Sequence, residues 1–318
     1  MRIVDEAALV TWDPATRTEH FLRRASFVAD TADFGFLVPT PGKPTLTEGD
    51  DSVFERLERA TRPEVVYRDV LSGIDPMPLL FGVFLLRATK SAPLTASVTV
   101  VDELRVAGYD AVVLQADSPS ALTEWLKSHG YARGPEVEAW VAPYVARRWF
   151  LSAFRIAPKD EKMPDNGRIG QGAVDIAFTT DRPFYPYREP DSARGPNAKG
   201  PRSLAVYVVA PERASATLGD TATWVGIPTY ARRMDSPVQG VPGGTEGRWL
   251  TAFIDRSSPR PGVEEVYFGK SPDSSPLIPP PVEIRVSKKI PVPIDVVIVL
   301  GTGLFFVGRA IRKRRERG

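Results

Sequence analysis

Ile294-Asp-Val-Val-Ile-Val-Leu-Gly-Thr-Gly-Leu-Phe-Phe-Val-Gly308 is the stretch on which the architecture turns. Ten of its side chains are Ile, Val, Leu or Phe. The eighteen residues Ile294 to Ile311 would rise about 27 Å as a helix, close to the ~30 Å hydrocarbon core of a bilayer. At about −0.3 to −0.6 kcal/mol each, the ten apolar side chains contribute roughly −3 to −6 kcal/mol to insertion. Asp295 and Arg309 oppose it, but both lie near the ends, where a charge costs less than at the centre. Pro291 and Pro293 suit the start of a helix and not its middle. The spacing therefore predicts one C-terminal transmembrane helix over residues 291–311, with Ile294, Val297, Leu300, Leu304, Phe305 and Phe306 as the membrane anchor.

The residues behind this run set its direction. Arg309, Arg312, Lys313, Arg314, Arg315 and Arg317 stand against Glu316, a local net of 6 − 1 = +5. The whole chain has 41 bases and 39 acids, so the rest carries 35 − 38 = −3. The basic character belongs to the tail, not to a basic face of the fold, and no nucleic-acid partner is expected. By the positive-inside rule the tail, residues 312–318, stays cytoplasmic and residues before about 290 lie across the membrane. Ser271-Pro-Asp-Ser-Ser-Pro-Leu-Ile-Pro-Pro-Pro281 reads as the start of an extended Pro-rich stalk over 271–290.

The body, residues 1–270, reads as a β-rich α+β domain with about ten short strands and three helices. Proline is frequent, 31 of 318, which favours loops and edge strands over long helices. Strands are expected at Ala7–Trp12, Glu19–Val28, Phe34–Pro39, Val98–Val101, Tyr109–Ala116, Trp149–Ile156, Ala173–Thr179, Ser203–Ala210, Arg248–Ile254 and Val263–Phe268. A helix opens at Asp51, where Ser52 and Glu55 have capping-box spacing. The clearest helix follows Ser118, with Pro119 at its first position and Gly130 at its end. A third runs over Pro135–Val145, where Pro143 is expected to kink or end it. Met77–Leu86 is a second apolar run, too short to span a bilayer. A core strand or buried turn is one reading of it, and a membrane-dipping or partner-binding loop the other.

Three ordered stretches carry a family resemblance. The first is Glu19-His-Phe-Leu-Arg-Arg-Ala-Ser-Phe with Phe34-Gly-Phe-Leu-Val-Pro-Thr-Pro; the second is Gly108-Tyr-Asp-Ala-Val-Val-Leu-Gln-Ala. The third is Leu122-Thr-Glu-Trp-Leu-Lys-Ser-His-Gly-Tyr131, leading to Pro143-Tyr-Val. Together, over roughly residues 5–270, they resemble DUF2330, a family of exported bacterial proteins of unknown function. The resemblance implies an extracytoplasmic protein, often with an N-terminal signal and a C-terminal anchor, and no known activity or ligand. It also implies cysteines near the mature N-terminus; this chain has none. Residues 1–13 carry Asp5 and Glu6 and do not read as a signal peptide, so the true start is expected upstream. The other topology is a tail-anchored protein with a cytoplasmic body.

Candidate chemistry is sparse. No cysteine and two histidines exclude disulfides, cysteine nucleophiles and Cys-based zinc sites. His20 reads as a strand residue on a polar face, and His129 as a residue closing a helix. The glycine-rich stretches 167–172 and 240–247 match neither a P-loop nor a dinucleotide fingerprint. Asp50-Asp51 and Asp102-Glu103 read as a helix start and a strand edge. Pro183-Phe-Tyr-Pro-Tyr-Arg188 is aromatic and basic. Phe184, Tyr185, Tyr187 and Arg188 are the first place to expect a binding surface, then Phe34–Pro41. No catalytic residue, cofactor or metal site is assigned. The function expected is that of a membrane-anchored, non-catalytic structural or partner-binding module, its partners membrane lipid and an envelope protein or polysaccharide. A carboxylate-based extracytoplasmic hydrolase or carbohydrate-active enzyme is the alternative.

Overall fold

The computed structural model describes residues 2–28, 35–77, 105–106, 108–131, 135–156, 168–170, 172–194 and 202–315. In chain order, the first elements are β1 (Arg2–Asp13), β2 (Thr18–Val28), β3 (Gly35–Thr40), β4 (Thr45–Glu48), α1 (Ser52–Thr61) and β5 (Val65–Met77). Then come β6 (Arg105–Val106), β7 (Tyr109–Leu114), α2 (Pro119–Ser128), α3 (Pro135–Ala146), β8 (Phe150–Ile156), β9 (Arg168–Gly170) and β10 (Val174–Thr179). These are followed by β11 (Phe184–Tyr185), α4 (Asp191–Arg194), β12 (Ser203–Ala210), β13 (Ala214–Leu218), β14 (Ala222–Thr223) and β15 (Ile227–Arg233). β16 (Trp249–Asp255), β17 (Val266–Lys270), β18 (Val282–Pro293) and α5 (Ile294–Arg315) complete the chain. The α+β class holds, with more strands than the sequence pattern suggests, some of only two or three residues and others, such as β1 and β5, longer than expected. The expected strand Val98–Val101 and all of the apolar run beyond Met77 lie outside the described residues.

The chain divides into two compact units: residues 1–62 with 101–279, and residues 63–100 with 280–318. The first is built on an eight-stranded sheet ordered β15-β16-β12-β1-β2-β10-β4, with β9 on β2. β1 and β12 pair in parallel at its centre, Asp5 opposite Ser203 through Thr11 opposite Val209. The other neighbours are antiparallel. Both faces of the central pair are covered, which explains why Ala8-Leu-Val10 and Leu204–Val209 are apolar without alternation. Ala8, Val10, Val206 and Val208 point to one side, where Phe184, Val266 and Phe268 of the sheet β11-β17-β13-β14 meet them. Leu9, Tyr207 and Val209 point to the other, against α1.

α1 buries Val53, Phe54 and Leu57 completely, about 1.5–3 kcal/mol each. Its cap differs from the capping box expected. Asp50 Oδ1 accepts from Ser52 N–H at 3.0 Å, while Asp51, at the N-cap position, makes no side-chain cap bond. Ser118 caps α2 as the sequence indicates, accepting from Ala121 N–H at 3.2 Å. α2 and α3 cover the sheet β3-β8-β7-β6 through Leu122, Leu126, Val141 and Tyr144, which cluster with Leu151 of β8. α3 runs through Pro143 for one turn more, because Tyr144 and Val145 are buried and hold that turn down.

In the second unit β5 and β18 form a two-stranded parallel ribbon. The segment expected as a stalk therefore has structure. In the first unit Leu277 exchanges backbone hydrogen bonds of 2.8 Å with Ala231 on the edge strand β15, and residues from Val282 form a strand. The expected transmembrane helix over 291–311 is not supported: among the described residues no helix is long and apolar enough to cross a membrane. The helix that forms begins at Ile294 and continues to Arg315, taking in Arg309, Arg312, Lys313, Arg314 and Arg315, most of which the sequence pattern places beyond it.

Candidate functional site

The aromatic segment 183–188 turns inward. Phe184, Tyr185 and Tyr187 are 0%, 2% and 1% exposed, so these rings form core and not the binding surface expected of them. Arg188 is half-buried, and its carbonyl accepts from Trp140 Nε1 at 3.0 Å. Two buried carboxylates hold the segment by its backbone. Glu19 Oε2 accepts from Phe184 N–H at 3.0 Å, and Glu265 Oε2 from Tyr187 N–H at 2.7 Å and Arg188 N–H at 3.3 Å. The Tyr144 hydroxyl donates to the other oxygen of Glu265. Burial raises the pKa of both acids, offset in part by these hydrogen bonds, and most strongly for Glu19.

Beneath the segment lies a charged cluster of three arginines and three acids. Arg23 Nε donates to Glu6 at 2.6 Å, and Arg260 Nη1 lies 3.5 Å from Glu6 and 3.3 Å from Glu189. Arg202 pairs with Glu189 through both terminal nitrogens, one at 3.0 Å. Arg260 Nε sits 3.6 Å from Asp255, which accepts from the Tyr187 hydroxyl at 2.7 Å. Burial opposes ionisation of Glu6, but the guanidiniums of Arg23 and Arg260 outweigh it and hold the carboxyl down at about 2. The cluster is balanced, three charges of each sign, and joins β1, β2, the end of β16 and the segment before α4. Such a cluster is costly to break by one partner, which makes it a lock on geometry.

A cleft of about 350 Å³ opens where the ends of β1 and β12 meet β13 and β17. Its walls include Trp12, Pro183, Val208, Ala214 and Phe268, and Glu212 and Lys270 form an ion pair beside it. The family model described as "Uncharacterized protein conserved in bacteria (DUF2330)" matches residues 1–251. The chain belongs to the DUF2330 family. No curated protein matches it. Among solved structures, the crystal structure of baculovirus P35 is similar to it with a TM-score of 0.38 at 11% identity, over 88% of this chain and 97% of that one.

In this DUF2330 protein the cleft is lined mainly by apolar side chains and prolines. Among the described residues Glu212 is the one carboxylate in its lining, and it is paired to Lys270. The buried acids with perturbed pKa values, Glu6, Glu19 and Glu265, are committed to arginine, backbone or tyrosine partners. Asp50 and Asp51 serve the start of α1; Asp102 and Glu103 lie outside the described residues. His20 places its Nδ1 3.0 Å from the Asp175 carboxylate, and His129 stacks on Trp125 with its Nδ1 2.9 Å from the Trp125 carbonyl. The two histidines thus serve separate local contacts. Phe36 of the second expected surface stacks on Phe154 at 4.7 Å. Among the described residues no group of three or more metal-ligating side chains forms.

The anchor residues divide. Leu304, Phe305 and Phe306 are 73%, 64% and 67% exposed on α5, and Arg309, Arg312, Lys313 and Arg315 are exposed behind them. Ile294, Val297 and Leu300 lie in the first turns of the same helix, and Arg317 beyond the described residues. Sequence reasoning missed Glu19, Arg260 and Glu265. Glu19 carried a signal: a strand acid two residues before Phe21, on the face that Phe21 buries.

Proposed function

We propose that this DUF2330 protein is a membrane-anchored module on the outer face of the bacterial cytoplasmic membrane, serving a structural or partner-binding role. One observation carries the proposal. Ten consecutive residues of α5, Leu304–Lys313, are exposed, nearly three turns and hence every side of the helix. They include Leu304, Phe305, Phe306, Val307 and Ile311. Apolar surface in that amount favours transfer out of water, and a lipid phase covers all sides of a helix at once. The arginines at its end favour the cytoplasmic side. The apolar cleft and the rigid, locked body suit recognition of an envelope protein or polysaccharide.

Alkaline carbonate washing of cell membranes tests the anchor. The intact chain is expected to stay with the bilayer, and a chain carrying Leu304→Lys, Phe305→Lys and Phe306→Lys to be released. A reporter fused after Gly318 is expected inside the cell. Release of the unmodified chain, or a reporter outside, overturns the proposal.

A further inference from the structure

α3 closes on a residue poorly suited to the turn it makes. Arg148 N–H donates to the Val145 carbonyl and Trp149 N–H to the Tyr144 carbonyl, each at 2.9 Å, the paired bonds of a Schellman turn. The residue just past the helix in such a turn takes positive φ, and glycine is its usual occupant. Here it is Arg148, at φ +57°. A cation at a helix C-terminus interacts well with the dipole, but Arg147, one position earlier, already supplies that. An arginine kept where glycine fits better points to a use for its side chain beyond the helix.

Beside this turn two aromatic rings rest on a common floor. Trp149 and Tyr267 of β17 lie against the buried ring of Phe184, 5.4 Å and 5.8 Å between centroids, and both stay partly exposed. Each carries a guanidinium: Arg147 is 5.9 Å from the centre of the Trp149 ring and Arg182 is 4.2 Å from that of Tyr267. Burial raises the pKa of the Tyr267 hydroxyl and Glu265 adds to it, while Arg147 and Arg182 pull it back, so both cations act on one phenol. Arg182 is paired to Asp220 at 3.1 Å. Among the described residues Arg147 and Arg148 have no carboxylate partner.

Two demands on a ligand follow. Unpaired guanidiniums require a carboxylate or a similar anion, which their fork grips through two parallel hydrogen bonds. Rings fixed from below and partly open above require a flat, weakly polar face to lie along them. A sugar bearing a carboxylate meets both, its C–H face on a ring and its acid on arginine. An acidic peptide lacks the flat face, and a neutral glycan lacks the charge. Outside its tail the chain carries 35 − 38 = −3, which favours a glycan with its acids at intervals over a densely charged polyanion. We propose that Arg147, Arg148, Trp149, Arg182 and Tyr267 form a binding site for a carboxylate-bearing polysaccharide. The site deepens the partner-binding reading above, on which it rests, by giving the partner a chemistry and a place on the body.

The test applies the full-length chain, in detergent micelles, to immobilised hyaluronate (a carboxylate on every second sugar), dextran and oligothymidylate. Binding is expected to hyaluronate and not to dextran, and to weaken as salt rises. Arg147→Gln is expected to weaken it by about tenfold, the loss of one bidentate contact. Arg232→Gln removes an equal charge from the exposed edge strand β15 and is expected to leave affinity within about twofold. Arg148→Gly separates use from structure: its melting temperature is expected to rise while its affinity falls. Equal losses in the Arg147 and Arg232 variants, a lower melting temperature in Arg148→Gly, equal binding of dextran, or tighter binding of oligothymidylate overturns the site. So does an absence of hyaluronate binding, and the carbonate wash of the same chain then reports separately whether the anchor stands.

Discussion

Arg260 sets its guanidinium 3.5 Å from the carboxylate of Glu6, joining the first strand to a loop 254 positions later in the chain. Around that contact Arg23, Glu189, Arg202, Asp255 and Tyr187 are fixed in turn.

Removing Arg260 leaves Glu6 and Asp255 short of a buried partner. Arg260→Met is expected to cost about 3–5 kcal/mol of stability, as unpaired buried charges do. It also acts through pH. The carboxyl of Glu6 is depressed to about 2 in the folded chain, so its contribution is present above the unfolded value near 4.5 and is lost as pH falls toward 2. With Arg260 gone, acid unfolding is expected to begin at higher pH. Urea titrations at pH 7 and pH 3 check both statements.

Glu19 has the opposite sign. Burial raises its pKa well above the ordinary range, so the folded chain holds this proton more tightly than the unfolded one. Its effect on stability is neutral below the unfolded pKa and turns increasingly adverse as pH rises from there toward the folded value, above which it levels off. Glu19→Gln keeps an oxygen for the Phe184 N–H and removes the titration. The variant is expected to gain melting temperature relative to the parent from pH 6 to pH 9 and to lose that gain near pH 4. A difference that stays flat across this range would count against a neutral buried acid.

His20 provides a third probe. Its hydrogen bond to Asp175 raises its pKa above 6.5, so the pair stabilises the fold below that pH and ceases to as pH rises through the folded value. With two histidines in the chain, proton NMR resolves both imidazoles. Asp175→Asn is expected to move the His20 titration downward.

Two glycines make a matched pair. Gly240 has φ +82°, and a Cβ there would meet Asp50 Oδ2 at 2.6 Å, the carboxylate that caps α1. Gly269 has ordinary φ and open space around it. Gly240→Ala is expected to cost about 1–2 kcal/mol, and Gly269→Ala to leave stability within about 0.5 kcal/mol. Thermal melts of the two variants decide it.

The features legible in the sequence obey local rules. Ser118, Pro119 and Gly130 bound α2 because caps and turn residues act over a few positions. β12 matches its expected bounds because an apolar run between turn signals marks a strand covered on both faces. β4, β14 and β15 escaped because they lie at sheet edges, where strands are short or polar, and β13 because its five residues Ala-Ser-Ala-Thr-Leu carry small and polar side chains with little apolar signal. β5 and β18 escaped because each finds its partner over 200 residues away, in the other's parallel register. The same distance hid the cluster: Arg260 stands among Ser, Pro and Gly, where composition suggests a solvated loop, and only the fold brings Glu6 to it. The aromatic segment 183–188 looked like a surface because proline and arginine frame it; Glu19 and Glu265, which draw its backbone inward, lie 165 and 78 positions from the amides they accept.

The parallel seam between β1 and β12 also fixes a timetable. β1 is the central strand of the finished sheet, yet its partner on one side is not made until residues 203–210. For most of synthesis β1 can pair with β2 alone, leaving an apolar edge open. The nascent chain should therefore acquire protease resistance in one late step, after β12 has emerged.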